Sequence, residues 1–298
     1  EVTWGSPVGQ ALPMTAPFDR ILVLDWETAW ASKPYVDAKG VAREAYTLKT
    51  LTTEEYLRDR RFKAWGLSWK EVDAEGRPIW VPRSHLARFF QSVDWSRTAV
   101  LAHNAMFDVS IMHWHYGVLP AYIFDTLSMT RALRGTEAGN SLEKLAEELG
   151  LPAKGKALHS TDGMLDELPF EVELELADYC KHDTFLCEQV FLHFIKGYPR
   201  KELDLIDMTI RMFTEPVLEL DTKVLYDHLQ KIQVKQEKLL AGRDLTSLRS
   251  NPQFAKQLVA LGVDPPKKTS LKTGKETFAF AKTDEGMLSL LEHENVEV

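Results

Sequence analysis

The stretch from Ile21 to Glu27, Ile-Leu-Val-Leu-Asp-Trp-Glu, constrains this chain more than any other. Four consecutive apolar residues read as a strand covered on both faces, because a half-exposed strand would alternate. The two acids that end it are separated by one residue. In extended backbone, residues i and i+2 project to the same side. Asp25 and Glu27 therefore leave the end of a buried strand together. Two carboxylates held side by side repel unless something cationic sits between them. A strand passing from core into solvent would also end on acids, so the rest of the chain must decide what the pair means.

Strands alternate with helices after this point. The polar segment 29–60 is too long for a plain hairpin and reads as a flap near the first strand's end, too polar to be core, with a short helix at Thr53–Arg60 capped by Thr53. Phe62–Trp69 is a second strand, with Trp65, Leu67 and Trp69 on one face. Gly76-Arg77-Pro78 turns the chain into a third, Ile79–Val81. Ser84–Val93 is an amphipathic helix. Ala99–Ala102 is a buried strand leading into a helix that runs to about Tyr116, and Tyr122–Phe124 is a short strand before a helix capped by Asp125. Ser141 caps a further helix, 151–168 is loop, and Phe170–Ile195 is one long helix with Leu174, Ala177, Cys180, Phe185, Val190 and Phe194 on its buried side. The pattern is that of an α/β layer structure with a central sheet. After Gly197-Tyr198-Pro199 the sequence turns helix-rich, which divides the chain into residues 1–198 and 199–298. Residues 1–18 read as an extended lead-in.

Composition narrows the chemistry. An apolar fraction of 44% with 8 Trp indicates a real core. A net charge of −8 excludes a protein that coats duplex DNA by bulk charge, though not an enzyme that holds a few nucleotides through metal ions. Cys180 and Cys187 lie two helical turns apart, roughly 10 Å, too far for a disulfide. Buried free thiols in a reducing, cytoplasmic setting follow. The absence of a His or Cys cluster at ligand spacing argues against structural zinc. No run of 18 apolar residues predicts a membrane span, and the N-terminus has no signal pattern. The chain starts at Glu1, so we expect a processed or excised piece.

Three acidic sites line up: Asp25 with Glu27 at a strand end, Asp108 one helical turn past the Ala99–Ala102 strand, and Asp183 in the long helix with Tyr179 four residues earlier. Residues i and i+4 share a helix face. Convergence of such carboxylates near the strand ends calls for hard divalent ions, and two Mg²⁺ or Mn²⁺ fit best. Each residue also has an ordinary reading alone: Asp108 as an acid favoured by the helix dipole, Tyr179 as a half-buried core residue, Trp26 as core, His103 as a capping or structural residue, and His113, His115 and His182 as peripheral.

Taken together, Asp25-Trp26-Glu27-Thr28, His103-Asn104-Ala105-Met106-Phe107-Asp108 and Tyr179-Cys180-Lys181-His182-Asp183 resemble the three motifs of the DEDD 3′–5′ exonucleases, in the branch with tyrosine in the third motif. A second resemblance covers residues 207–296. Ile210–Asp221 is similar to the join between exonuclease and polymerase in family A DNA polymerases of phage type. Asn251–Leu258 and Lys267–Lys275 are similar to the same family's thumb. The resemblance implies an RNase H-like mixed sheet flanked by helices, followed by a mainly helical, incomplete thumb. It implies a proofreading exonuclease that hydrolyses the 3′-terminal phosphodiester of single-stranded or frayed DNA to nucleoside 5′-monophosphates. Asp25, Glu27, Asp108 and Asp183 would be the metal ligands, Tyr179 would position the attacking water, and Thr28 and Asn104 would contact the terminal nucleotide. The Lys267–Lys275 lysines would touch phosphate. A replication accessory protein is a further expected partner, and the setting is the host cytoplasm if the chain is phage-encoded. The polymerase's D-x-S-x-x-E segment and His-Asp-Glu triplet do not occur before Val298, so this chain is not expected to polymerise. An RNA-trimming exonuclease of the same superfamily and a non-catalytic DNA-binding or scaffolding module remain the alternatives.

Overall fold

A computed structural model of the chain describes residues 17–37, 40–153, 161–240, 245–270 and 274–294. The expected lead-in up to residue 16, Gly155 in the 151–168 loop, and Lys272 of the lysine-rich segment lie outside these. The chain forms two compact units, Glu1–Val217 and Leu218–Val298.

The first unit is built on a five-stranded mixed sheet. Strand β1 (Arg20–Thr28) is its middle strand, antiparallel to β4 (Ala64–Glu71) and parallel to β6 (Thr98–Ala102). Strand β5 (Ile79–Pro82) lies outside β4, and β7 (Tyr122–Asp125) lies outside β6, giving the order β5-β4-β1-β6-β7. The run Ile21–Leu24 is at most 1% exposed. Leu22, Leu24 and Trp26 enter a cluster on one face, under α2 (Leu86–Ser92) and α3 (Ala105–Tyr116). Ile21 and Val23 enter a cluster on the other, under α4 (Thr126–Arg134), α5 (Leu142–Glu148) and α6 (Phe170–Phe194). Burial of each such side chain stabilises the fold by roughly 1.5–3 kcal/mol. A mixed central sheet flanked by helices is the fold class expected for the chain.

Local chemistry sets the element ends. The Asp125 carboxylate accepts from the backbone N–H groups of Leu127 and Ser128 and caps α4, and Ser141 caps α5 by accepting from Lys144. Each cap contributes about 1 kcal/mol. Helix α7 (Arg200–Thr214) follows α6 and stays with the sheet: Leu203 and Ile210 are buried, Asp207 accepts from the Ile123 backbone, and Arg211 donates to the Pro120 carbonyl oxygen. The first compact unit therefore runs past residue 198, where composition had marked a change.

Four expectations are corrected. The 29–60 segment is not too polar for core. It carries β2 (Tyr35–Val36), β3 (Ala42–Arg43) and α1 (Thr53–Arg58), and it buries Tyr46, Tyr56 and Leu57. Its polar residues face outward while two tyrosines stack with ring centroids 4.4 Å apart. The cap of α1 is Thr52, not Thr53, because Thr52 and Glu55 form a reciprocal capping box. Trp65 does not share the cluster of Leu67 and Trp69. The β1–β4 ladder shifts register between Glu27 and Thr28, and Trp65 packs on Ala29 and Leu176 instead. Leu174 lies more than half exposed near the start of α6.

The second unit contains α8 (Thr222–Leu240), α9 (Leu245–Arg249), α10 (Asn251–Ala260) and α11 (Glu285–Leu291), with one hairpin of β8 (Lys267–Thr269) and β9 (Glu276–Phe278). Its small core joins Ala255, Leu258, Ala279 and Leu290, with Phe254, Phe278 and Phe280 in ring contact.

Candidate active site

Asp25 and Glu27 share the β1 face that carries Ile21 and Val23, so both point toward α6. Cys180 of that helix lies beside them. Its thiol donates to the Asp25 main-chain carbonyl oxygen at 3.2 Å and to Asp25 Oδ2 at 3.4 Å. One ligand atom from each of Asp25, Glu27 and Cys180 lies within 4.8 Å of the others. Burial, and then the charges of Asp25 and Glu27, push the Cys180 thiol well up, so it stays protonated and donates.

The second segment is a turn held under strain. Asn104 adopts left-handed backbone, φ 73° and ψ 48°, a region that few residues other than glycine, asparagine and aspartate visit. The Asp125 carboxylate that caps α4 also accepts from the Asn104 backbone N–H at 2.7 Å and from that of Ala105 at 3.3 Å. This one side chain ties the start of α3 to the end of β7. Such strain persists only where surrounding bonds over-determine it. One turn later Asp108 is buried. That burial, and after it the charge of Asp25, holds its carboxyl well above the usual carboxylate range. Hydrogen bonds from the Trp26 and Asp108 backbones oppose the shift only in part.

The third segment is α6. Tyr179 and Asp183, one helical turn apart, are both buried. Deeper along the helix, Glu188 is buried against Lys70 of β4, with Nζ to carboxylate distances of 2.6 and 2.8 Å, and it also accepts from the Asp73 backbone. This ion pair pins α6 to the antiparallel half of the sheet.

Of the residues singled out in the sequence, Asp25 and Glu27 meet beside Cys180, while Asp25 and Asp183 line a cavity of about 530 Å³ together with His103, Asn104 and Arg131. Asp108 is close enough to Asp25 to feel its charge. The Thr28 hydroxyl lies 2.9 Å from that of Tyr56 in the 29–60 segment. The Asn104 side chain does not cap α3 and is exposed at the cavity. The ordinary readings hold for several others. Trp26 stacks with Phe90 and Tyr116 in the core, His115 hydrogen-bonds the Leu57 carbonyl oxygen, and His182 faces the Ala153 carbonyl oxygen. In the second unit, Lys267 and Lys268 pair with Glu276 and Asp284.

Sequence reasoning passed over Cys180 and Tyr56. The first was legible, since residues i and i+3 on a helix share a face and Cys180 precedes Asp183 by three. The second had no local signal, because its contact with Thr28 is made across the fold. Carboxylate donors clustered this way, with burial and mutual charge raising Asp108, are the donor set that hard divalent cations relieve. The residues present therefore fit such ions.

No described family and no curated relative matches the sequence. Among solved structures, the chain is similar to the catalytic core of RRP6 from Trypanosoma brucei, with a TM-score of 0.45 and 13% identity over 80% of this chain and 56% of that one. It is similar to Brucella melitensis NrnC, with a TM-score of 0.42 and 14% identity over 68% of this chain and 86% of that one. It is similar also to Escherichia coli RNase D, an exoribonuclease involved in structured RNA processing, with a TM-score of 0.41 and 15% identity over 66% and 46%. The chain spans little more than half of the RRP6 core and less than half of RNase D.

Proposed function

We propose that this chain is a metal-dependent 3′–5′ exonuclease that removes the 3′-terminal nucleotide of DNA as a nucleoside 5′-monophosphate. The observation that carries the reading is the placement of Asp25 and Glu27. They are side by side at the end of the central strand, facing the helix that bears Tyr179 and Asp183. When bound, two divalent ions supply activation of a water and stabilisation of the leaving oxygen in phosphodiester hydrolysis. Asp25, Glu27, Asp108 and Asp183 hold them. Tyr179 orients the attacking water through its hydroxyl. Asn104, presented at the cavity by its left-handed backbone, contacts the terminal nucleotide, and Thr28 does so from the end of β1.

Single-stranded ends are preferred, because unpairing a terminus costs a few kcal/mol. The resemblance of residues 207–296 to the thumb of family A polymerases supports DNA as substrate and proofreading as the role. In that reading residues 199–298 are the start of a polymerase domain, and a replication accessory protein is the further partner. Labelled oligonucleotides with DNA or RNA 3′ ends, incubated with Mg²⁺ and with EDTA, test this. Stepwise shortening of DNA from the 3′ end in Mg²⁺ alone is expected. Shortening confined to RNA moves the chain to RNA trimming, and binding without cleavage under any condition refutes the enzyme.

A further inference from the structure

Beyond the carboxylates, the end of β1 opens onto a second recess. The Ala29 backbone N–H donates to the Lys63 carbonyl oxygen at 2.8 Å, so the chain re-enters β4 beside the strand end. From there two cavities adjoin, of about 420 and 830 Å³, with Arg83 and Asp166 in the walls of both. They differ in chemistry. The smaller is lined by five basic side chains and two acidic ones, in a chain whose net charge is −8. Arg43 is paired with Asp37, and Lys63 donates to the Leu165 and Asp166 carbonyl oxygens. Arg61 is paired with Asp59. Arg60 and Arg83 are both exposed, and among the described residues their guanidinium groups make no hydrogen bond or ion pair. Burial, and then the charge of Arg83, push the Lys63 ammonium down, and the charges of Asp166 and Glu167 oppose the shift.

The larger cavity is aromatic. Trp65 and Trp80 line it, and Phe170, 68% exposed, stands beside them. Trp80 lies over Gly66, where a methyl group would run into its ring and into the Val81 carbonyl oxygen. Its indole N–H points to Glu173 at 3.4 Å. Glycine at position 66 thus lets the ring lie on the sheet, beside the strand position opposite Glu27. Trp65 packs on Ala29 and on Leu176, one helical turn before Tyr179. The recess is therefore continuous with the strand end and the helix face that carry the proposed chemistry.

We propose that this recess is a nucleotide subsite for single-stranded nucleic acid. One base lies against Trp80 and Phe170, and its phosphate lies between Arg60 and Arg83. Glu167 and Glu173, which line only the larger cavity, keep the phosphate off the aromatic side. Aromatic faces stack on any base, and free guanidinium groups hold phosphate bidentately, so the subsite grips strand without reading sequence. The choice of ligand rests on the nuclease reading above.

The test is binding of fluorescein-labelled (dT)10 in EDTA, followed by anisotropy across a salt series, with tryptophan emission read in parallel. Replacing both arginines, R60Q with R83Q, removes two phosphate contacts from exposed positions and should leave the fold unchanged. The slope of log K against log salt should flatten by about 1.4, and affinity at low salt should fall at least about tenfold. Trp80→Leu should lower the quenching of tryptophan emission by the oligonucleotide, leaving what Trp65 contributes, while the double arginine variant keeps part of the Trp80 signal. Wild-type slope and affinity in the arginine variant would overturn the subsite. So would unchanged quenching in Trp80→Leu. A wild-type protein that binds (dT)10 through this recess yet hydrolyses no nucleic acid in Mg²⁺ would uphold the subsite and remove the exonuclease reading.

Discussion

Removing one oxygen atom from Tyr56 tests whether the 29–60 segment holds the proposed metal ligands in place. The Tyr56 hydroxyl donates to the Ala29 carbonyl oxygen at 2.7 Å and lies 2.9 Å from Thr28 Oγ1. Its single proton goes to Ala29, so Thr28 is the donor in the second bond. Tyr56→Phe keeps the stack on Tyr46 and the contact with Phe107, the residue before Asp108. It leaves a buried carbonyl and a half-buried hydroxyl without their partner. Each such loss costs about 1–3 kcal/mol. A loss of about 2 kcal/mol lowers the melting temperature by roughly 4–8 °C for a unit of this size. The slack falls next to Glu27. Apparent Mn²⁺ affinity should drop about tenfold for each 1.4 kcal/mol that re-ordering the strand end takes from binding. Thermal melting followed by circular dichroism and Mn²⁺ titration by calorimetry measure the two effects separately. Tyr56→Ala, which also loses the ring, should cost about 3–5 kcal/mol. A Phe variant that melts with the wild type and binds Mn²⁺ equally well would refute the buttress.

Asp25→Ala should abolish hydrolysis while the circular dichroism spectrum and melting profile remain those of a folded protein. Substantial Mg²⁺-dependent degradation by that variant would remove Asp25 from the site. Tyr179→Phe should slow turnover about 100-fold, the low end for a positioned acid–base group, with little change in KM; unchanged kcat would take Tyr179 out of the mechanism. Lys70→Met leaves Glu188, 1% exposed, with a buried charge and only the Asp73 backbone as partner. It should destabilise the first unit by about 3–5 kcal/mol, measured by urea unfolding, and a near-neutral result would refute the pinning of α6 by this pair.

Much of the frame was legible because its signals are local. The apolar run before Asp25 allowed only a strand buried on both faces. The caps at Asp125 and Ser141 are side chains that bond their own next turn. Periodicity found α2 because helix spacing needs no partner to be visible. The missing parts depend on contacts made at long range. The 29–60 segment looked like a polar flap because its buried residues, Tyr46, Tyr56 and Leu57, are few and widely spaced. They gain their burial only once α3 and β1 are present. Trp65 was placed on the wrong face because alternation assumes an unbroken ladder, and the register shift after Glu27 breaks it. Thr28 drew attention for its place in a motif, yet the hydroxyl it meets comes from a residue 28 positions away. Cys180 was hidden in plain view, counted for what it would not do with Cys187 and not for the acids beside it.

The position of β1 in the sheet has a further consequence. A strand with ladder partners on both sides gives up its amide protons to solvent only when the whole sheet opens. The backbone at Leu22 and Val23, paired on both sides just before Asp25 and Glu27, should thus be among the slowest in the chain to exchange hydrogen for deuterium. The Asn104 turn, which hangs on the Asp125 carboxylate, should exchange far sooner. Two of the acids follow directly on the stiffest stretch of the sheet, and a third rides on a helix whose first turn hangs on one side chain. Size discrimination among cations should then be set by how far Asp108 can travel, while the spacing of Asp25 and Glu27 stays fixed.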